Sequence, residues 1–170
     1  MAKKYNIEIE EFIKTPEEQI KYDIRESIYI ALSFSCEYYI KNLNSTDMGK
    51  SIGISYLNTR GFSEESIKKF GLGIAFNEKK SFTEQALKKG YDISILEKSG
   101  LTIKDGKGGF DRFKNRIMFP IKSISGRVLG YGARIMSNSK KIAKYINSPE
   151  GEVYQKSKVL YGLFESKSFI

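Results

Sequence analysis

The stretch that decides the fold is Ile117–Ile135, which reads IMFPIKSISGRVLGYGARI. Its first five residues form a short apolar run typical of a buried strand, and residues 123–126 form a polar turn that ends in glycine. Residues 127–135 read as a returning strand, so the whole stretch predicts an antiparallel β-hairpin. Because Pro120 cannot donate a backbone hydrogen bond, we expect an edge or a bulge in the first strand at that point.

The glycines between Gly126 and Gly132 are better explained by sheet geometry than by phosphate binding. They do not form the GxGxxG pattern that opens a helix, and they lie within a predicted strand. Glycine inside a strand usually marks a bulge or a close approach of another segment. We therefore expect no phosphate-binding loop here.

Helical patterns precede the hairpin. Residues Thr15–Glu18 read TPEE, which combines an N-cap residue, a proline at the first helical position and a capping box. Apolar residues then recur at helical spacing from Ile20 to Leu43, with Ser35 as a gap. The pattern predicts one long amphipathic helix or two joined helices.

Shorter helices are predicted between this long helix and the hairpin. The first runs from about Thr46 to Gly61 with Ile52, Tyr56 and Leu57 on one face. The others are expected near residues 63–70, capped by Ser63, and near 82–89 and 92–98, each ended by a glycine. Helices that come first and strands that come later favour an α+β fold, with a helical N-terminal part followed by a small, mainly antiparallel β-sheet lobe. Residues 1–24 are expected to be a linker or arm that includes the start of the first helix.

The net charge is concentrated in one part of the chain. Eleven basic and two acidic residues lie between Lys104 and Lys144, so this stretch carries the whole formal net charge of +9. A local positive field attracts polyanions and speeds their encounter with the protein. Nucleic acid is the leading partner, and a merely lysine-rich surface is the alternative.

The composition excludes several classes of site. The chain contains no histidine and a single cysteine, Cys36, so a Ser-His-Asp triad and a structural zinc site cannot be built from this sequence. Cys36 lies in an apolar helical pattern that is typical of a buried core residue. Without a signal peptide or a run of about 18 apolar residues, the sequence predicts no membrane contact and a cytoplasmic location.

One short segment combines several groups that bind nucleotides. Residues Lys144–Glu150 read KYINSPE, which places a cation, an aromatic ring, an amide and a hydroxyl in what we interpret as one tight polar turn. Such groups bind a phosphate, stack on a base and hydrogen-bond a sugar or a base edge. An ordinary Asn-Ser-Pro turn would explain the same spacing equally well.

Four blocks in this order carry a resemblance to a known family: Tyr56–Phe62, Asp111–Ile121, Gly126–Arg134 and Lys144–Glu150. The series resembles the N-terminal subdomain of the RNA-polymerase core of bacterial replicative primases of the DnaG type. The resemblance covers roughly residues 25–170, which we expect to form one domain. It implies a part of the enzyme that synthesises short RNA primers on single-stranded DNA for replication.

The resemblance also implies which residues bind nucleic acid and nucleotide. Seven positions match basic, aromatic or amide residues of the family's basic groove: Arg60, Arg112, Arg116, Arg134, Lys144, Tyr145 and Asn147. The implied ligands are single-stranded DNA, the RNA–DNA hybrid and ribonucleoside triphosphates. In the full-length protein, the replicative helicase and single-strand binding protein are implied as further partners.

The chemistry of primer synthesis is expected to depend on other segments of such a primase. The family binds Mg²⁺ or Mn²⁺ through carboxylates of a TOPRIM lobe and Zn²⁺ in a zinc ribbon, and neither pattern occurs in this sequence, which stops about where the TOPRIM lobe should begin. We therefore expect no catalytic or metal-binding residue in this stretch, and no primer synthesis by it alone. A stand-alone basic module that binds single-stranded nucleic acid without catalysis is the alternative.

Overall fold

A computed structural model of the chain describes residues 14–106 and 108–169. The first thirteen residues of the predicted arm lie outside the described residues. Helix α1 follows directly, from Pro16 to Ser45, and its capping box is confirmed. The Glu18 amide donates to Thr15 Oγ1 at 3.2 Å, and the Thr15 amide donates to Glu18 Oε2 at 2.8 Å. No helix in the described part of the chain is long and apolar enough to cross a membrane.

From Ile28 onward the buried face of α1 follows the predicted helical spacing, and the apparent gap at Ser35 is part of it. Ile20, where the predicted pattern begins, is 59% exposed. Ile28, Leu32, Tyr39 and Leu43 are buried together with Ser35. The Ser35 hydroxyl donates to the Leu32 carbonyl at 2.7 Å and lies 2.6 Å from the Tyr131 hydroxyl. A buried polar group is tolerated here because it has hydrogen-bond partners.

The segment after α1 differs from the prediction of one regular helix. A π-helical turn, Gly49–Ile54, leads into a short helix α2, Ser55–Thr59. The turn can pack closely against α1 because two of its residues are glycines. A Cβ at Gly49 would lie 2.0 Å from the Asn42 carbonyl oxygen, and a Cβ at Gly53 would lie 2.5 Å from a Leu43 methyl. The wider turn leaves Ile52 49% exposed, whereas Leu57 in α2 is fully buried.

Three further helices lie near their predicted ranges, and a short C-terminal helix was not predicted. Ser63 and Asp92 cap their helices through side-chain oxygens. The bounds are α3 Glu64–Phe70, α4 Ser81–Lys88, α5 Ile93–Lys98 and, near the C-terminal end, α6 Leu163–Ser166.

Within the described residues, the strands form one four-stranded antiparallel sheet and one separate two-stranded pair, which together with the helices confirms the α+β class. The order in the larger sheet is β1-β4-β5-β6, and β2 pairs with β3. The bounds are β1 Gly73–Ala75, β2 Thr102–Ile103, β3 Phe110–Asp111, β4 Arg116–Lys122, β5 Val128–Ile135 and β6 Tyr145–Asn147.

Pro120 lies in the central strand β4, yet its missing donor is not needed. Tyr131, its partner on β5, directs both its amide and its carbonyl to Ser148 on the other side. The backbone nitrogen of Pro120 therefore points toward the β1 side of β4. The pairing of β1 with β4 ends before Pro120, at Gly73 opposite Met118. Strand β4 is thus unpaired on its β1 side only near Pro120, which is the expected edge. The expected bulge lies one residue further on, between Ile121 and Lys122.

The sheet has two chemically different faces. Met118, Tyr131 and Ala133 belong to a buried cluster that packs against α1. The opposite face, which we call the open face, carries the rows Ile117–Arg134–Tyr145 and Phe119–Gly132–Asn147 across β4, β5 and β6. Successive residues of a strand point to opposite faces, so this register alone collects Arg134, Tyr145 and Asn147 on one surface.

The segment Lys144–Glu150 is not the tight polar turn that its composition suggested. Tyr145–Asn147 form the edge strand β6, which pairs with β5 in register from Gly132 to Arg134. The register overrides local turn preference because β5 offers backbone partners for the whole of this short segment.

Candidate nucleic-acid interface

A cavity of about 370 Å³ lies between α2 and the open face. Its floor is apolar, formed by Leu57, Phe62, Phe119 and Ile121. Its rim is polar and comes from separate elements: Arg60 at the end of α2, Arg134 on β5, and Tyr145 and Asn147 on β6. Four of the seven predicted site residues are therefore brought together around one opening.

Arginine and tyrosine side chains alternate along this rim. The guanidinium carbon of Arg134 lies 5.3 Å from the centre of the Tyr145 ring and 5.8 Å from that of Tyr56, and the guanidinium carbon of Arg60 lies 5.3 Å from the Tyr56 ring centre. Cations within about 6 Å of a ring centre are attracted to it. These contacts orient the arginines without neutralising them.

Lys144 extends the same surface. It lines a smaller adjoining cavity of about 200 Å³ together with Tyr56, Arg60 and Arg134, and its Nζ lies 5.8 Å from the centre of the Tyr145 ring. Among the described residues that line the two cavities there is no aspartate or glutamate. The positive charges of Arg60, Arg134 and Lys144 therefore add together at this surface, which favours an anionic ligand.

Arg116 does not line either cavity. It is 5% exposed and lies behind β6, where Nη2 donates to the Ala143 carbonyl at 2.9 Å and Nη1 lies 3.4 Å from the Lys144 carbonyl oxygen. Burial lowers the pKa of its guanidinium. Its contact with nucleic acid stays a prediction. Within the fold, its guanidinium hydrogen-bonds to backbone carbonyls.

Arg112 also lies away from the cavities. It follows β3, and its amide donates to the Leu101 carbonyl at 3.0 Å. Burial lowers the pKa of its half-buried guanidinium, while the charge of Glu97 acts in the opposite direction. Of the five predicted basic residues, only Arg60, Arg134 and Lys144 thus share the surface with Tyr145 and Asn147.

Two tyrosines of the site had no predicted role: Tyr56, at the start of the first sequence block, and Tyr161, outside the four blocks. Tyr56 stands four residues before Arg60, a spacing that places both on one helix face and could have indicated the contact. Tyr161 forms a wall of the cavity and contacts Phe119 with ring centres 6.4 Å apart. Burial, together with the charge of Glu165, raises the pKa of Tyr161 to about 12, so its hydroxyl stays protonated at neutral pH.

The buried acid of the basic stretch has a structural environment. Asp111 accepts hydrogen bonds from the amides of Phe82 and Thr83 and from the Thr83 hydroxyl, at 2.7–2.9 Å. These amides open helix α4, so Asp111 satisfies donors that a helix leaves free at its start. Burial raises the pKa of its carboxyl, although these hydrogen bonds act to lower it.

The described residues do not fit a divalent metal ion. Within residues 14–106 and 108–169 there is no group of three or more histidine, cysteine, aspartate or glutamate side chains that could hold one. Magnesium and manganese need several converging oxygen ligands. What this surface offers is positive charge, aromatic faces and amide groups.

Comparisons with known proteins give consistent matches to one family. The family model described as "DNA primase catalytic core, N-terminal domain" matches residues 38–167. A DNA primase of Halalkalibacterium halodurans is 33% identical over 174 residues, which cover 100% of this chain and 28% of the relative, and one of Staphylococcus aureus strain COL is 38% identical over 136 residues, which cover 79% and 22%. The chain thus spans less than a third of the length of these relatives.

Solved structures give the same result. The RNA polymerase domain of Mycobacterium tuberculosis primase DnaG is similar with a TM-score of 0.79 and 33% identity, over 86% of this chain and 47% of that one. A DnaG primase catalytic domain bound to single-stranded DNA is similar with a TM-score of 0.78 and 30% identity, over 87% and 47%. Both similarities extend over more than four fifths of this chain.

Proposed function

This chain belongs to the family of DNA primase catalytic-core N-terminal domains, and we propose that its open face binds single-stranded DNA, the nascent RNA–DNA hybrid and ribonucleoside triphosphates during primer synthesis. The observation that carries the proposal is the convergence of Arg60, Arg134, Lys144, Tyr145 and Asn147 around two adjoining cavities whose described lining contains no carboxylate.

The groups divide by chemistry. Arg134 and Arg60 present planar guanidinium groups suited to phosphate oxygens, and Lys144 adds a flexible point charge. Tyr145 is 59% exposed and offers a ring face for stacking on a base, which is tolerant of sequence. The Asn147 amide can donate and accept hydrogen bonds at a sugar or base edge. The surface therefore supports backbone-directed binding, with the base chosen by pairing to the template.

The proposed role is positioning and charge neutralisation within a nucleotidyltransferase. In such an enzyme the 3′-hydroxyl of the growing primer attacks the α-phosphate of a nucleoside triphosphate and displaces pyrophosphate. The described residues do not supply the carboxylates that would hold metal ions there. We propose that Mg²⁺ or Mn²⁺ and Zn²⁺ are bound by other lobes of the primase. The replicative helicase and the single-strand binding protein are proposed partners of that larger protein, in the cytoplasm.

Binding of a labelled single-stranded oligonucleotide to the chain tests the proposal. Arg134→Ala should weaken binding about tenfold or more, since a charged contact and the orientation of two tyrosines are lost together. Lys88→Ala is the matched control because it removes one charge from the exposed end of α4, away from the open face. Equal effects of the two variants would contradict the proposal.

The salt dependence of the same titration adds a second criterion. Each phosphate contact that is lost should reduce the slope of log K against log salt by about 0.7 for single strands. We expect this reduction for Lys144→Ala and not for Lys88→Ala. Unchanged slopes in both variants would indicate a diffuse charge effect rather than contacts at the open face.

Primer synthesis distinguishes the proposal from a stand-alone binding module. The chain alone, given Mg²⁺ or Mn²⁺ and nucleotides, should make no primer. A longer protein that contains it should do so, and Lys144→Ala or Asn147→Ala in that protein should reduce synthesis strongly while thermal stability is kept. If the longer protein binds single strands but makes no primer, the binding module is the better account.

A further inference from the structure

We propose that Arg116 and Ser148 are positioning residues that fix the two ends of β6 and thereby aim Lys144, Tyr145 and Asn147 at the ligand. The inference rests on the proposed function, since it concerns the same surface. It assigns Arg116 to the backbone behind the surface, instead of to nucleic acid.

Strand β6 needs such support because its own side chains are little buried. It is three residues long, and among the described strands it pairs with β5 alone. Tyr145 and Asn147 are exposed, and only Ile146 packs against the core. Short edge strands open locally at a low free-energy cost. A binding surface built on one must be held by other groups.

Arg116 holds the N-terminal end of β6 from behind. Its guanidinium donates to the carbonyl of Ala143 at 2.9 Å, and Nη1 lies 3.4 Å from the Lys144 carbonyl and 3.5 Å from that of Ala133 on β5. The Lys144 carbonyl also accepts from the Ile135 amide at 2.9 Å. One planar fork therefore joins two successive carbonyls before β6 to strand β5, a geometry that lysine cannot reproduce.

The burial of Arg116 separates this role from direct contact. With 5% of the residue exposed and both terminal nitrogens directed at carbonyls, the guanidinium would have to leave three backbone groups to reach a phosphate. Hydrogen bonds from a charged donor are stronger than those between neutral groups, so this rearrangement would be costly. Arg134 and Lys144, by contrast, line the cavities themselves.

Ser148 holds the other end. Its amide donates to the Tyr131 carbonyl at 2.8 Å, and its Oγ accepts from the Tyr131 amide at 2.8 Å. Gly130 leaves the space for it, since a Cβ at Gly130 would lie 2.9 Å from both Cβ and Oγ of Ser148. The side chain of Ser148 thus completes the ladder to β5 immediately after Asn147.

Only Tyr145, Ile146 and Asn147 lie between the two anchors. Because side chains alternate along a strand, Tyr145 and Asn147 face the open face while Ile146 faces the core. Loss of either anchor should let β6 shift or fray, and the functional side chains would move with it. Their chemistry would be intact but wrongly placed.

The test combines hydrogen exchange in the ligand-free chain with single-strand binding. Arg116→Lys keeps the charge, and we expect the Ile135 amide to exchange about tenfold faster while α1 amides such as that of Leu32 are unchanged. In Ser148→Ala and Gly130→Ala, the backbone amide at position 148 should likewise exchange about tenfold faster. All three should weaken oligonucleotide binding about tenfold. Gly106→Ala, at a glycine with open space around it, and Lys88→Ala should change neither quantity.

The outcomes separate this inference from the proposed function. Weakened binding by Arg116→Lys with unchanged exchange at Ile135 would mean direct contact with nucleic acid and would overturn the inference. Normal hydrogen exchange and normal binding in both Ser148→Ala and Gly130→Ala would also overturn the inference. These two variants test it if Arg116→Lys does not fold. If the unaltered chain fails to bind single strands, the proposed function fails, and the exchange rates still judge the anchoring of β6.

Discussion

The two faces of one sheet show how the same strands can serve stability on one side and binding on the other. Against α1, β4 and β5 present Met118, Tyr131 and Ala133, all buried within one cluster. On the open face, the same strands present Phe119, Gly132 and Arg134, of which none is fully buried. The covered face has a helix of 30 residues as its partner, whereas α2, which borders the open face, has five.

The difference follows from the order of the strands. At the β1 side of the open face, Ile74 and Ile117 are sealed in a second apolar cluster, and polarity increases along the row to Arg134 and Tyr145 at the β6 edge. Arg134 is half-buried beside the apolar floor, and this partial desolvation strengthens its attraction for anions. Charge therefore collects at the β6 edge of the sheet, whereas the β1 edge is apolar.

The largest expected effect is on the covered face. Leu32→Ala removes a fully buried side chain of α1 and should lower the free energy of unfolding by about 3 kcal/mol. Leu160→Ala, at a residue that is 69% exposed, is the matched control and should change it by less than about 0.5 kcal/mol. Urea unfolding measures both, and a similar small loss in the two variants would contradict the assignment of α1 as the main partner of the sheet.

A smaller stability effect is expected from the acid within the basic stretch. Asp111→Ala leaves the amides of Phe82 and Thr83 without their acceptor and should cost about 2 kcal/mol. Binding of single-stranded DNA should be unchanged in the folded variant. The control is Asp47→Ala, at an exposed aspartate. Abolished binding with normal stability would instead assign Asp111 to the functional surface.

On the open face, the expected effect is on affinity and not on folding. Tyr145→Ala should weaken single-strand binding by about 1.5 kcal/mol, roughly tenfold, through the loss of a stacking ring. Tyr145→Phe keeps the ring and should bind within about twofold of the unaltered chain, since stacking needs no hydroxyl. Fluorescence anisotropy compares the two, and a hydroxyl-dependent loss in Tyr145→Phe would show that hydrogen bonding rather than stacking operates there.

Local signals made much of the fold predictable. The TPEE start of α1, the Ser63 cap of α3 and the hairpin around Ser123–Gly126 each depend on neighbouring residues, and all three are confirmed. The convergence of Arg60, Arg134 and Lys144 was also implied by the family blocks, although no single block contains it.

The parts that the sequence did not indicate depend on distant contacts. The π-helical turn requires the fit of Gly49 and Gly53 against α1 and β1, and β6 requires backbone partners on β5. The environment of Arg116 is of the same kind, since its acceptors lie 17 to 28 residues further along the chain. No local pattern distinguishes a buried arginine of this sort from the cavity-lining Arg134.

The most direct test of the central claim, that the open face is the nucleic-acid surface, is a titration of the isotope-labelled chain with a short single-stranded oligonucleotide, followed through amide chemical shifts. We expect the largest shifts at Arg60, Arg134, Lys144 and Asn147, with small shifts along the exposed N-terminal part of α1, where Lys21 and Arg25 provide a second group of cations. The largest shifts at Lys21 and Arg25, with the β6 edge unperturbed, would contradict the account.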